Sequence, residues 1–171
     1  MEIEIVARVR SALEKSWSAR TSLCFNTDIA PASYGQCAPT AIVVHEYLGG
    51  EILKTRIQKY DGSFIRHFYN RIDGHRHDFT ASQFEMDDYW LEVNYEDVPS
   101  SVEEALTEMM PGQIDAMRSA FKSVINELEH GKQFQGDRNM QSCLLQKAQE
   151  PRQYALAAEE KRYAELGRAQ K

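Results

Sequence analysis

The dipeptide Asp73-Gly74 constrains this chain more than any other feature, because it lies between two β-prone runs and reads as a two-residue hairpin turn. Before it stands Phe64-Ile65-Arg66-His67-Phe68-Tyr69-Asn70-Arg71-Ile72, rich in aromatic and β-branched residues, and after it the return strand His75-Arg76-His77-Asp78-Phe79-Thr80. A turn of this length pairs Ile72 with His75, Asn70 with His77, Tyr69 with Asp78 and His67 with Thr80. Side chains alternate along a strand, so His67, Tyr69, Asp78 and Thr80 share one face while Phe68, Asn70, His77 and Phe79 share the other. His67 and Asp78 are then diagonal neighbours within hydrogen-bonding reach, the relation that a base and its orienting carboxylate require.

A second stretch, Tyr34 to Gly50, supplies a partner for that pair. Ala41, Val44 and Leu48, widened by Ile42 and Val43, give a helix with an apolar stripe, and Gly49-Gly50 stops it. Gly35 marks the preceding turn and Pro39 suits a first helical turn, so Cys37 falls at or just outside the helix start. The free N–H groups and dipole there favour the thiolate, which is the nucleophilic form. A thiol at a helix start, a histidine on a strand and a carboxylate on the next strand follow one another in the order found in papain-like and transglutaminase-like cysteine enzymes. In that reading Cys37 attacks a carbonyl, His67 takes and returns the proton, and Asp78 fixes the imidazole. The backbone N–H of Cys37, with the amide of Gln36, would stabilise the oxyanion.

The rest of the chain reads as scaffold. Ile3, Val6, Val9, Leu13 and Trp17 recur at helical spacing, and residues 18–34 dissolve into a long polar loop. Glu51 to Ile57 is a strand candidate closed by the turn at Asp61-Gly62. Ser100-Ser101-Val102-Glu103-Glu104 resembles a capping box opening a short helix that ends before Pro111, and Ile114, Met117, Phe121, Val124, Ile125 and Leu128 stripe an amphipathic helix over 112–130. From Gly131 the character changes to a polar linker and a thinly amphipathic helical extension. This divides the chain into an α+β domain at 1–130 and a C-terminal extension at 131–171.

Charge and cysteine usage narrow the function classes. The net charge is −6, yet residues 138–171 hold seven Lys/Arg against four Asp/Glu, so residues 1–137 carry −9. An acidic body argues against nucleic acid as a partner. The basic tail suits docking on that body, on a partner or on a second copy of the chain, and equally suits a solvated helix. Cys24, Cys37 and Cys143 form neither a disulfide framework nor a zinc pattern, which fits reduced thiols in a cytoplasm, although delivery as an effector would leave the same sequence. No apolar run is long enough to span a membrane, and no phosphate loop or dinucleotide fingerprint is present, so no cofactor is expected. A rival metal site of His67, His75, His77 and Asp78 would need the hairpin register to slip. His45 and His130 read as surface residues.

Tyr34-Gly35-Gln36-Cys37 resembles the nucleophile motif of transglutaminases, with Ala38 where those enzymes usually carry tryptophan. The wider run resembles the small bacterial YunG-like family. It shares Gly35-Gln36-Cys37, Leu48-Gly49-Gly50-Glu51-Ile52-Leu53, His67 through Gly74, and Asp78-Phe79-Thr80 leading to Gln83-Phe84, although Pro39 stands where a smaller or β-branched residue is commoner. The similarity covers roughly residues 10–130. It implies a compact α+β domain of papain-like type (NlpC or transglutaminase-like), with the cysteine helix packed on a small antiparallel sheet, and no particular substrate. The expected activity is that of a cysteine-dependent amide hydrolase or acyl transferase acting on a protein or peptide amide. The alternative is a non-catalytic papain-like scaffold serving as a protein-binding module.

Overall fold

The computed structural model describes residues 3–22, 24–85, 90 and 93–130. Asp73 and Gly74 both take positive φ, 50° and 77°, as a tight hairpin turn demands. They join β2 (Phe64–Ile72) to β3 (His75–His77), with Ile72 opposite His75 and Asn70 opposite His77, the register set out above. The return strand is shorter than the sequence suggests, ending at His77 and not at Thr80. Asp78 explains the early stop, because its Oδ1 accepts from the Thr80 N–H at 2.9 Å and from the Thr80 hydroxyl at 3.1 Å. A side chain that bonds the backbone two residues on closes a turn and draws the chain off the ladder.

β1 (Glu51–Gln58) pairs antiparallel with the whole of β2, from Glu51 opposite Arg71 to Gln58 opposite Phe64. Its other edge carries β4 (Val98–Ser100), a short strand not foreseen in the sequence, whose Pro99 suits an edge position. The sheet order is β3-β2-β1-β4, and with its helices it makes an α+β architecture.

One sheet face is apolar where it takes α2 (Cys37–Leu48). Ile52 and Phe68 pack with Ala38, Ala41 and Ile42, and Ile72 packs with Val43 and Val44. Each of the larger side chains, Ile, Val or Phe, contributes about 1.5–3 kcal/mol when fully buried. Asn70 on the same face donates to the Ala41 carbonyl at 3.0 Å, tying strand to helix and pointing away from His67, as the register requires.

α1 (Ile3–Ser16) buries Val9, Ala12 and Leu13 in that core, and the Trp17 indole donates to the Thr40 hydroxyl at 3.1 Å. The helix spanning 113–130, α4, adds Met117, Phe121 and Ile125. Between β4 and α4 lies α3 (Val102–Leu106), whose N-cap Ser101 accepts from the Glu104 N–H at 3.2 Å. The chain divides into two units, residues 1–128 and 129–171. The expected extension at 131–171 lies outside the described residues.

Candidate active site

Cys37 is the first residue of α2, with Gln36 as the N-cap. Its N–H is therefore among those that find no acceptor within the helix. The turn before it depends on glycine: Gly35 has φ +71°, and a Cβ there would stand only 2.5 Å from the Ser22 hydroxyl. The side chain of Cys37 packs against the Phe68 cluster while remaining partly exposed.

His67 lies on the opposite face of β2 from Phe68 and is fully buried. Its Nε2 is 2.7 Å from Asp78 Oδ2, the diagonal contact expected from the hairpin. An ionised carboxylate only accepts, so Nε2 carries the proton and Nδ1 is left to face the Cys37 thiol and the Gln83 amide nitrogen, the latter at 3.2 Å. A group on one side of a sheet reaches a side chain on the other only around an edge. β3 pairs with β2 only at residues 70–72, so among the described residues the edge of β2 beside His67 has no strand partner.

The electrostatics follow from this enclosure. Burial alone favours the neutral ring, but hydrogen bonds to Asp78 and Cys37 and the charges on both outweigh it and hold His67 up at about 9. Burial likewise pushes the Asp78 carboxyl up. The hydrogen bond and charge of His67, the Tyr95 hydroxyl at 2.8 Å and the Thr80 N–H outweigh that and keep it below the usual carboxylate range. Tyr95 is raised in turn, by its own burial and then by the Asp78 charge. The ring is also clamped by aromatic edges, with the Phe84 ring centroid at 4.7 Å in edge contact and Tyr69 stacked at 5.8 Å.

A cavity of about 590 Å³ opens beside the thiol, lined among others by Cys37, Tyr34, Phe68, Trp90 and Gln83. Gln36, the expected oxyanion donor, is fully buried: its amide nitrogen donates to the Ser18 carbonyl at 3.4 Å and its Oε1 has no partner. Gln83 lines the cavity where Gln36 does not. Its side-chain nitrogen also donates to the Thr80 carbonyl at 3.0 Å, and its main-chain carbonyl accepts from the Trp90 indole at 3.1 Å.

Sequence reasoning named Gln83 as part of a motif without giving it a role, and it missed Tyr95 altogether. The run around Tyr95 has no periodicity, so nothing local marks the hydroxyl that reaches Asp78 from 17 residues away. Arg71 and Arg76, the arginines of the hairpin closest to Asp78 in sequence, both bond Asp97 and not Asp78, at 3.2 and 2.6 Å. Among the described residues no group of three or more His, Cys, Asp or Glu is arranged to hold a metal ion. No helix of the described residues is long and apolar enough to cross a membrane.

The family model described as YunG protein matches residues 5–126. The uncharacterized protein YunG of Bacillus subtilis strain 168 is 38 % identical over 120 residues, which covers 70 % of this chain and 94 % of that protein. No solved structure matches.

Proposed function

The chain belongs to the YunG family, and from that premise and the geometry of its own site we propose that it is a cysteine-dependent amide hydrolase or acyl transferase on a papain-like core. One observation carries the reading: a buried imidazole is held between an ionised carboxylate and a thiol, and that thiol borders an open cavity. With the ring held up at about 9, the Cys37 proton already rests on His67 Nδ1, and the sulfur bonds to the substrate carbonyl carbon. The charge that develops on the carbonyl oxygen is met by the Cys37 N–H at the helix start. Gln83 lines the cavity, but its amide nitrogen is engaged by Thr80 and His67, so its part is to hold the ring.

The proton then passes from Nδ1 to the leaving nitrogen as the C–N bond breaks, leaving a thioester. Water, an amine or another thiol, deprotonated by His67, releases the acyl group and restores the Cys37 thiol. Asp78 keeps its negative charge throughout. Its part is to hold Nε2–H and to stabilise the imidazolium. Tyr95 and Thr80 hold Asp78.

Iodoacetamide labelling with peptide mapping tests this directly. Cys37 is expected to react faster than Cys24 or Cys143 in the folded protein, and His67→Ala is expected to remove most of that advantage. Slow, equal labelling of all three thiols would reject the enzymatic reading.

A further inference from the structure

We infer that the cavity beside Cys37 selects acyl substrates that carry a carboxylate, and that Arg56 is the residue that reads it. The inference rests on the enzymatic reading of Cys37. Residues 1–137 carry a net charge of −9, yet the described residues lining this cavity include Arg56, Lys59 and Arg66 against a single carboxylate, Glu108. Cations are thus concentrated at the hollow next to the thiol, on a body whose net charge is negative.

Two of them stand directly across the ladder, Arg56 on β1 opposite Arg66 on β2. Like charges in that position repel, so each needs compensation. Arg66 has it within the protein, through Glu104 at 3.9 Å and a closer ion pair with Glu108. Arg56 does not. Among the described residues no carboxylate lies within ion-pair distance of its guanidinium, and Glu96 meets its backbone N–H at 3.4 Å instead.

What the Arg56 guanidinium does touch is the Phe64 ring, with its central carbon 4.4 Å from the ring centroid. Among the described residues no hydrogen bond or ion pair engages the guanidinium N–H groups, and they form a fork matched to a carboxylate. The cavity falls within the roughly 300–1,000 Å³ of ordinary small-ligand sites, so it has room for an acidic side chain or a peptide C-terminus together with the carbonyl presented to Cys37.

The test uses thiol reagents as rulers. N-iodoacetylglycine, N-iodoacetyl-β-alanine and N-iodoacetyl-γ-aminobutyrate are compared with their uncharged primary amides on the full chain, and the rate at Cys37 is read by peptide mapping. At one length at least, the acid is expected to alkylate Cys37 roughly ten-fold faster than its amide, the scale of one charge-assisted hydrogen bond. Arg56→Gln should bring that ratio down to about one, and Arg56→Lys, which keeps the charge without the fork, should fall between. Acid and amide reacting alike at every length, while iodoacetamide still labels Cys37 rapidly, would overturn the inference and leave the enzymatic reading standing. Slow labelling of Cys37 by every reagent would remove both.

Discussion

On the helix side of the sheet Ile52, Phe68 and Ile72 are buried by apolar contact, with the polar Asn70 buried among them, whereas on the far side Thr55, His67 and Tyr69 are equally buried within a web of hydrogen bonds. There Thr55 donates to the Asn94 carbonyl at 2.8 Å and accepts from the Glu96 N–H at 3.1 Å. Tyr69 donates to Asp97 Oδ1 and accepts from the Asp97 N–H, each at 2.9 Å. Apolar burial is non-directional and degrades in proportion to the volume removed, while a buried polar group costs little only as long as its partner is in place. The first face holds the helix against the sheet. The second fixes the orientation of one imidazole ring.

Substitutions can separate these two kinds of support. Phe68→Ala, on the apolar face, is expected to cost the most stability, about 3–5 kcal/mol by urea unfolding. If the faces are independent, it leaves the His67 titration midpoint where it is; a large displacement would show that helix packing also sets the ring. Asp78→Asn removes the charge that stabilises the imidazolium but keeps the shape, so it should cost less, about 2–3 kcal/mol. It should also lower the His67 midpoint and slow alkylation of Cys37.

The pH dependence of stability sharpens the contrast. His67 is raised to about 9 from an ordinary 6.5, so its contribution is complete below pH 6.5 and is lost as pH rises through 9. Asp78 is lowered, so its contribution is present above its ordinary value of 3.8 and is lost as pH falls through the depressed one. Urea midpoints should therefore be highest between those windows. Phe68→Ala should shift the whole curve down, and Asp78→Asn should flatten its alkaline arm. An unchanged alkaline arm in Asp78→Asn would place the loss elsewhere.

Smaller effects belong to the outer parts of the web. Tyr95→Phe deletes one donor to Asp78 and should cost about 1.5 kcal/mol, with a raised Asp78 midpoint as its signature. Arg76→Gln breaks a pair with Asp97 that is largely in solvent, and about 1 kcal/mol or less is expected. A loss as large as that of Asp78→Asn would mean that the surface pair supports the buried one.

The hairpin was legible because a two-residue turn fixes register locally, and with it the meeting of His67 and Asp78. The helix start at Cys37 was legible for the same reason, through Gly35, Pro39 and a clear apolar stripe. Three things were not. β4 has three residues and a proline, too few for any period to show. The early end of β3 depends on which atoms the Asp78 side chain bonds. Tyr95 and Gln83 act through contacts that only the folded chain creates. Gln36 shows the converse: its place beside the thiol in sequence suggests an oxyanion donor, but the turn that carries it directs the side chain toward Ser18 and away from the cavity.

The most direct measurement is a nitrogen-15 NMR titration of the His67 ring in the full chain and in Cys37→Ala. A ring held between Asp78 and the thiol should titrate near 9, keep its Nε2 proton throughout, and titrate lower once the sulfur is removed. A midpoint at or below 6.5, or one that ignores the loss of the sulfur, would contradict the account.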